Sequence, residues 1–235
     1  MPAETEPKAA TGKALDSEVQ ADQTPDKMKL IFVDETAHPE AGDLLWMWVF
    51  TTTTTALFMV GYRSREIFDN LIDISGFNGW LMTDGYLVYR HYVWRLRCWA
   101  HLLRKAEGLS ESYTASVRDD GQQMLTIIMR LQAAVYRARE GPDGGCKSIM
   151  AQHEADLEQL RKLCKTMEDS PHAKAHALGV EFLLDWEAIF RVLEHPNWPL
   201  TNNIAEQRLR HVVMLRRIMQ GTRCQIGRAS CRERV

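Results

Sequence analysis

The chain has 235 residues, of which 45% are hydrophobic and 26% are charged, and its formal net charge is −2. This composition is typical of a globular protein with one or two domains, and no apolar run approaches the ~20 residues of a membrane-spanning helix. The charge is unevenly distributed, because residues 202–224 contain five arginines and only one acidic residue, Glu206. A local basic face of this kind can contact phosphates even in a nearly neutral chain.

Residues 1–27 are rich in Ala, Glu, Asp, Thr, Lys and Pro and have no apolar periodicity, which predicts a disordered leader. They contain no apolar core of the kind found in a signal peptide, so we expect a cytoplasmic protein. The chain has five scattered cysteines, and their odd number argues against a disulfide framework.

The next segments predict an alternation of strands and helices. LIFVDE, LLWMWVFTTTTT and ALFMVGYRS predict three strands, with HPEAGD as the turn between the first two. SREIFDNLIDI has helical spacing, with Ser64 as its cap. GWLMTDG predicts a fourth strand, and RLRCWAH a fifth that leads into the helix LLRKAEGL. We interpret Cys98 and His101 as a packed strand end, because no second ligand pair completes a zinc site.

From about Leu109 to Glu194 the pattern is almost entirely helical. It predicts three helices, which are QQMLTIIMRLQAAVYRARE, KSIMAQHEADLEQLRKLCKTME and ALGVEFLLDWEAIFRVLE. GPDGG forms a loop after the first helix, and HPNWP closes the last. The fold expected from these elements is α/β, with a mixed sheet of five strands and a helical segment inserted before the final helix.

Two carboxylates follow apolar runs where strands should end. Asp34 and Asp84 each occupy such a position, and sites collect at this edge of open α/β sheets. Neighbouring carboxylates repel each other unless a cation compensates, and Mg²⁺ suits them because it prefers oxygen ligands. Glu206 is the third candidate ligand, and Glu35 is an alternative to Asp34.

Each of these residues also has a structural interpretation. Asp84 begins an Asp-Gly dipeptide, which is common in turns. Asn203-x-x-Glu206 resembles a helix capping box. Glu206 could equally form a helical ion pair with Arg210, worth roughly 0.2–0.5 kcal/mol.

The final helix combines a carboxylate with basic side chains. At ~100° per residue, Glu206, Arg210 and Arg217 share one face, which would suit a metal-bound phosphodiester. The residues predicted to contact DNA are Asn202, Asn203, Arg208, Arg210, Arg216 and Arg217.

Four segments in a fixed order resemble a known family. VDET, LMTDGYLVY, CWAHLLR and PNWPLTNNIAEQRLRHVVMLRR are similar to the catalytic domain of IS66-type transposases, which are DDE enzymes with a ribonuclease-H-like fold. The resemblance runs from about Leu30 to Arg223. It implies that Asp34, Asp84 and Glu206 are the catalytic triad and hold two Mg²⁺ or Mn²⁺ ions.

The resemblance also implies the reaction and the partners. The expected reaction is DNA cleavage and strand transfer by in-line displacement, on transposon ends and target DNA. A homo-oligomer on DNA, accessory proteins encoded by the same element and a bacterial cytoplasm are expected by analogy. Two alternatives remain open, namely an inactive transposase remnant that still associates with DNA and another ribonuclease-H-like nuclease.

The predicted domain organisation combines these observations. The disordered leader is followed by the first part of the core at 28–108, a helical insertion at 109–195 and the last catalytic helix at 196–224. Residues 225–235 are predicted to be a non-native tail, because IGRASCRERV matches the translation of a common sequencing adapter.

Overall fold

The structure is a computed structural model that describes residues 29–40, 42–72, 79–140 and 148–219. The predicted leader 1–27, the GPDGG loop and the predicted tail 225–235 lie outside the described residues.

The described residues form five strands and eight α-helices. The strands are β1 Leu30–Glu40, β2 Asp43–Thr51, β3 Ala56–Gly61, β4 Trp80–Thr83 and β5 Arg95–Arg97. The helices are α1 Arg65–Leu71, α2 Trp99–Ser110, α3 Ala115–Glu140, α4 Ile149–Gln152, α5 Glu154–Glu168, α6 Ala173–Leu184, α7 Trp186–Phe190 and α8 Asn203–Met219. Two 3₁₀ turns cover Leu87–His91 and Arg191–Leu193.

The five strands make one mixed sheet in the order β3-β2-β1-β4-β5. The predicted α/β fold is therefore confirmed, and its arrangement is compatible with the expected ribonuclease-H-like one.

The chain divides into two compact units. The first, which we call the sheet unit, comprises the described residues up to Leu81 and those from Asn203 onward. The second, which we call the helical unit, is Met82–Asn202. The predicted domain boundaries at 108/109 and 195/196 stay a prediction.

In the sheet unit, β1 pairs antiparallel with β2, and β2 pairs antiparallel with β3. The centre of β2 is fully buried at Trp48, Val49 and Phe50. Helix α8 packs against β1 and β2. Among the α8 residues whose side chains are described, Ala205, Leu209 and Val212 are buried hydrophobic residues, and they form a stripe with helical spacing.

In the helical unit, one hydrophobic core includes residues from Trp99 to Leu200. Trp99 is central to it, because the indole nitrogen donates to the carbonyl oxygen of Ile189 at 2.8 Å while the ring packs edge-on against Phe190. None of the described helices is both long and apolar enough to cross a membrane.

Several predicted element boundaries were wrong. Strand β1 extends to Glu40 and pairs there with Asp43, so the predicted turn HPEAGD is reduced to two residues. Gly42 has φ of 99°, a conformation that suits such a tight connection.

The predicted second strand was also too long. Strand β2 ends at Thr51, and the Thr52 side-chain oxygen accepts the backbone N–H of Thr55 at 3.0 Å. The backbone N–H of Thr52 donates to the carbonyl oxygen of Thr55 at 2.8 Å. Hydroxyl groups that bond to the local backbone favour turns, which explains why β-branched residues leave the strand here.

The interpretation of Cys98 and His101 as a strand end was wrong as well. Strand β5 covers only Arg95–Arg97, and Cys98 is the N-cap of α2. The backbone N–H of Trp99 donates to the carbonyl oxygen of Leu200 at 2.8 Å, so a distant segment helps to fix where the helix begins.

Two predicted helices are each divided. The second predicted helix breaks at His153, between α4 and α5, and the third breaks at Asp185, between α6 and α7. Ser64 caps α1 as predicted, since its hydroxyl accepts the N–H of Ile67 at 3.3 Å.

We expect two glycines of neighbouring helices to respond oppositely to alanine. A Cβ at Gly121 of α3 would lie 2.4 Å from the backbone nitrogen of Ser110, whereas a Cβ at Gly108 of α2 would meet nothing within 4 Å. Gly121→Ala should lower the free energy of unfolding by about 1–3 kcal/mol through overpacking. Gly108→Ala should raise it by about 0.5–1 kcal/mol, because alanine is the better helix former.

Urea unfolding followed by circular dichroism measures both values. Equal stability of the two variants would contradict the close approach of α2 and α3 at Gly121.

Candidate functional site

Asp34 lies within β1 of the sheet unit, so the prediction that it marks the end of a strand was wrong, because pairing with β2 continues to Glu40. Asp34 is opposite Val49 of β2, and one of its carboxylate oxygens accepts the backbone N–H of Glu35 at 2.9 Å. The side chain is partly exposed, in contrast to the fully buried Val33 before it. Asp34 is thus fixed by the strand while its carboxylate remains accessible.

Glu35, the alternative ligand, has a prominent cation partner. Its side chain is 1% exposed, and Oε1 accepts from Arg63 Nε at 3.0 Å and from Arg63 Nη2 at 2.6 Å. The Arg63 guanidinium also lies over the ring of Trp46, at 4.3 Å from its centroid. This pairing stabilises the buried charge of Glu35 within the sheet unit.

Glu206 lies in the first turn of α8 and is partly exposed. It directly follows Ala205, which belongs to the stripe that packs on β1 and β2. Two of the three predicted ligands, Asp34 and Glu206, therefore belong to the same unit and lie on elements that pack together. Helix α8 begins at Asn203, so Glu206 is its fourth residue, and the capping and ligand interpretations of Glu206 both stay predictions.

The residues predicted to contact DNA differ in exposure. Arg210 and Asn203 are exposed, and Arg208 and Arg216 are partly exposed. Asn202 is fully buried, and its backbone N–H donates to the Cys98 sulfur at 3.2 Å. The side chain of Arg217 lies outside the described residues.

Asp84 directly follows β4 and lies in the helical unit. One of its carboxylate oxygens, Oδ1, accepts the backbone N–H of Tyr86 at 2.8 Å, which closes a tight turn around Gly85. The ring of Tyr86 packs edge-on against Tyr89, with 5.8 Å between centroids. The turn predicted at Asp84-Gly85 is present, and it positions the carboxylate without consuming all its acceptor sites.

The segment that precedes α8 is held within the helical unit by Arg139 of α3. Its Nε donates to the carbonyl oxygen of Pro196 at 2.6 Å, and its Nη2 donates to that of Trp198 at 2.5 Å. The ring of His195 stacks on Trp198, with 4.0 Å between centroids. The predicted helix stop HPNWP is thus a fixed structure rather than a loose connection.

The sequence interpretation missed a buried group of charges in the helical unit. Asp185, with 1% of its side chain exposed, pairs with Arg90, Arg95 and Arg97. Burial lowers the pKa of the Arg95 guanidinium, and the neighbouring Asp185 partly opposes that change. The sequence did contain a signal for this group, namely the arginines of RLR at positions 95 and 97. Two cations on one face of a short strand require a negatively charged partner.

Several described carboxylates could hold a metal ion, among them Asp34, Glu35 and Asp84. Hard carboxylate oxygens are the ligands preferred by Mg²⁺ and Mn²⁺, so the donor set fits the ions implied by the resemblance.

Comparison with known proteins identifies the family. A model of the IS66 transposase family matches residues 14–228, which is most of the chain. No curated protein and no solved structure matches. The family match indicates a DNA-processing enzyme whose substrate is DNA. The chain belongs to the IS66 family of transposases.

Proposed function

We propose that this chain contains a DDE transposase catalytic domain that cleaves DNA and transfers the strand by in-line phosphodiester displacement. The observation that carries the proposal is the family match over residues 14–228. The order Asp34, Asp84 and Glu206 along the chain supports it, since the resemblance implies that these residues are the catalytic triad.

In this proposal Asp34, Asp84 and Glu206 supply the oxygen ligands for two Mg²⁺ or Mn²⁺ ions. When bound, such ions stabilise charge on the phosphate oxygens and activate water or a DNA 3′-hydroxyl. Two observations in the sheet unit support this proposal. Helix α8, which carries Glu206, packs on β1, which carries Asp34. Trp80 N–H donates to the Lys29 carbonyl oxygen at 2.8 Å, beside the start of β1.

The basic residues of α8 provide the proposed DNA contacts. Arg210 is exposed, and Arg208 and Arg216 are partly exposed, so their guanidinium groups can reach phosphate oxygens. Asn203 is exposed and can donate to a phosphate, whereas Asn202 is buried and its backbone is bonded to Cys98. Arg217 belongs to the same proposed contact surface.

Partners beyond DNA remain proposals by analogy with the family. A homo-oligomer on DNA and accessory proteins of the element are proposed, and the expected compartment is the bacterial cytoplasm, where the DNA is. An inactive remnant that keeps DNA association and another ribonuclease-H-like nuclease are the alternatives that the following experiments distinguish.

Metal binding should depend on all three carboxylates. We expect Asp34→Asn, Asp84→Asn and Glu206→Gln each to weaken Mn²⁺ binding measured by calorimetry, by about tenfold or more, because each removes a charged oxygen ligand. Glu158→Gln is the matched control, since Glu158 is an exposed carboxylate on α5.

The same variants should lose metal-dependent cleavage and strand transfer on element-end DNA. Binding that is indifferent to Glu206→Gln would return Glu206 to the helix-capping role. Intact metal binding without cleavage would favour the remnant, and specific cutting of branched DNA would favour the other nuclease.

DNA affinity should depend on salt through α8. Replacing Arg210 by Ala should reduce the slope of log K against log salt concentration by about 1, because one phosphate contact releases about one counterion. Lys162→Ala is the matched control, since Lys162 is an exposed cation on α5. Equal slopes for the wild type and both variants, measured by fluorescence anisotropy, would exclude Arg210 from the interface.

A further inference from the structure

A buried charge network lies against the turn that carries Asp84. Its first member is Asp185, the residue between α6 and α7, which pairs with Arg95 at 2.5 Å and with Arg90 at 3.1 Å. Arg97 donates to its second carboxylate oxygen. Arg95 and Arg97 are two residues apart on β5, so both reach the same side of the strand.

The second carboxylate of the network is Glu181, one turn earlier in α6. Its Oε1 accepts from Arg97 Nη2 at 2.5 Å, and Lys105 of α2 donates to Oε2 at 2.6 Å. Arg97 is therefore shared between Glu181 and Asp185, with only 1% of its side chain exposed. A guanidinium held by two carboxylates has a fixed orientation, because its planar fork matches their geometry.

This network touches the backbone of Gly85. A Cβ at Gly85 would lie 2.6 Å from Glu181 Oε1 and 2.8 Å from Arg97 Nη2. Both distances are shorter than real Cβ contacts, so an alanine here would require the turn or the charged ends of Glu181 and Arg97 to shift. The Asp-Gly dipeptide is common in turns in general, and in this fold the nearby charged groups are a second reason for glycine at position 85.

We propose that Arg97 and Glu181 are positioning residues for Asp84. The network supports the Gly85 backbone, and the same turn places the Asp84 carboxylate through its hydrogen bond with the Tyr86 N–H. The helices of the helical unit thereby hold a carboxylate that lies far from them in sequence. The proposal rests on the proposed function for its consequence in metal binding, although the support of the turn is independent of it.

Two substitutions test the contact from opposite sides. Gly85→Ala keeps every charge but disturbs the contact, because its Cβ would displace either the turn or the charged ends of Glu181 and Arg97. Glu181→Gln keeps the size of the side chain but removes its charge, so Arg97 loses one ionic partner. The two effects should not add, because both act through the same contact.

Asp156→Asn is the matched control. Asp156 and Glu181 both have 13% of the side chain exposed, and each pairs with a half-exposed cation, Arg130 or Lys105. Circular dichroism establishes that each variant is folded. If Gly85→Ala does not fold, Glu181→Gln alone decides the outcome.

The first measurement is hydrogen exchange of the Tyr86 amide in metal-free protein, by nuclear magnetic resonance. We expect a loss of protection in Gly85→Ala and in Glu181→Gln, with unchanged protection in Asp156→Asn. Wild-type protection in both folded variants would overturn the proposal, whether or not the protein binds metal.

The second measurement is Mn²⁺ affinity by calorimetry. We expect a weakening of about 10- to 100-fold in both variants, as for other groups that orient a metal ligand. If Mn²⁺ binding by the wild type requires Asp84, unchanged affinity in both variants would overturn the positioning role. A wild type that binds no Mn²⁺ through Asp84 would instead overturn the proposed function, and the Tyr86 exchange would still decide whether the network supports the turn.

Discussion

The ion pairs of Asp185 organise the helical unit. A carboxylate with 1% of its side chain exposed is tolerated only when cations and hydrogen bonds compensate for the lost water. Arg95 and Arg97 of β5 provide that compensation, so the side of β5 that carries these two arginines faces Asp185. Asp185 lies where α6 ends and α7 begins, so its ion pairs fix the junction of the two helices to β5.

Close approach explains several glycines in the helical unit better than turn conformation does. Gly121 and Gly179 lie where a Cβ would meet the backbone of another helix, at Ser110 and at Cys164. Gly85 lies where it would meet the charged ends of Arg97 and Glu181. Backbone atoms leave no room for a methyl group at Gly121 and Gly179, so the close packing of these helices depends on those glycines.

The proposed metal ligands have unequal surroundings. Asp34 is fixed by a strand with regular antiparallel pairing, and Glu206 is fixed by a helix whose buried stripe packs on that strand. Asp84 depends instead on a tight turn, which has fewer backbone hydrogen bonds of its own and needs support from other groups. This difference explains why a turn next to a buried charge network is useful for a site that must hold its ligands in fixed geometry.

The sequence alone determined the element types, their order and the family resemblance, because these depend on local periodicity and on short motifs. The buried residues Leu209 and Val212 of α8 have the spacing expected of one face of a helix. Tertiary structure decided where β5 ends and α2 begins, and which charges are buried. Arg97 and Asp185 are 88 residues apart, so neither residue's local pattern specifies the other as its partner. Interactions over such separations form only when the whole unit folds, which is why the support of Asp84 was not evident from the sequence.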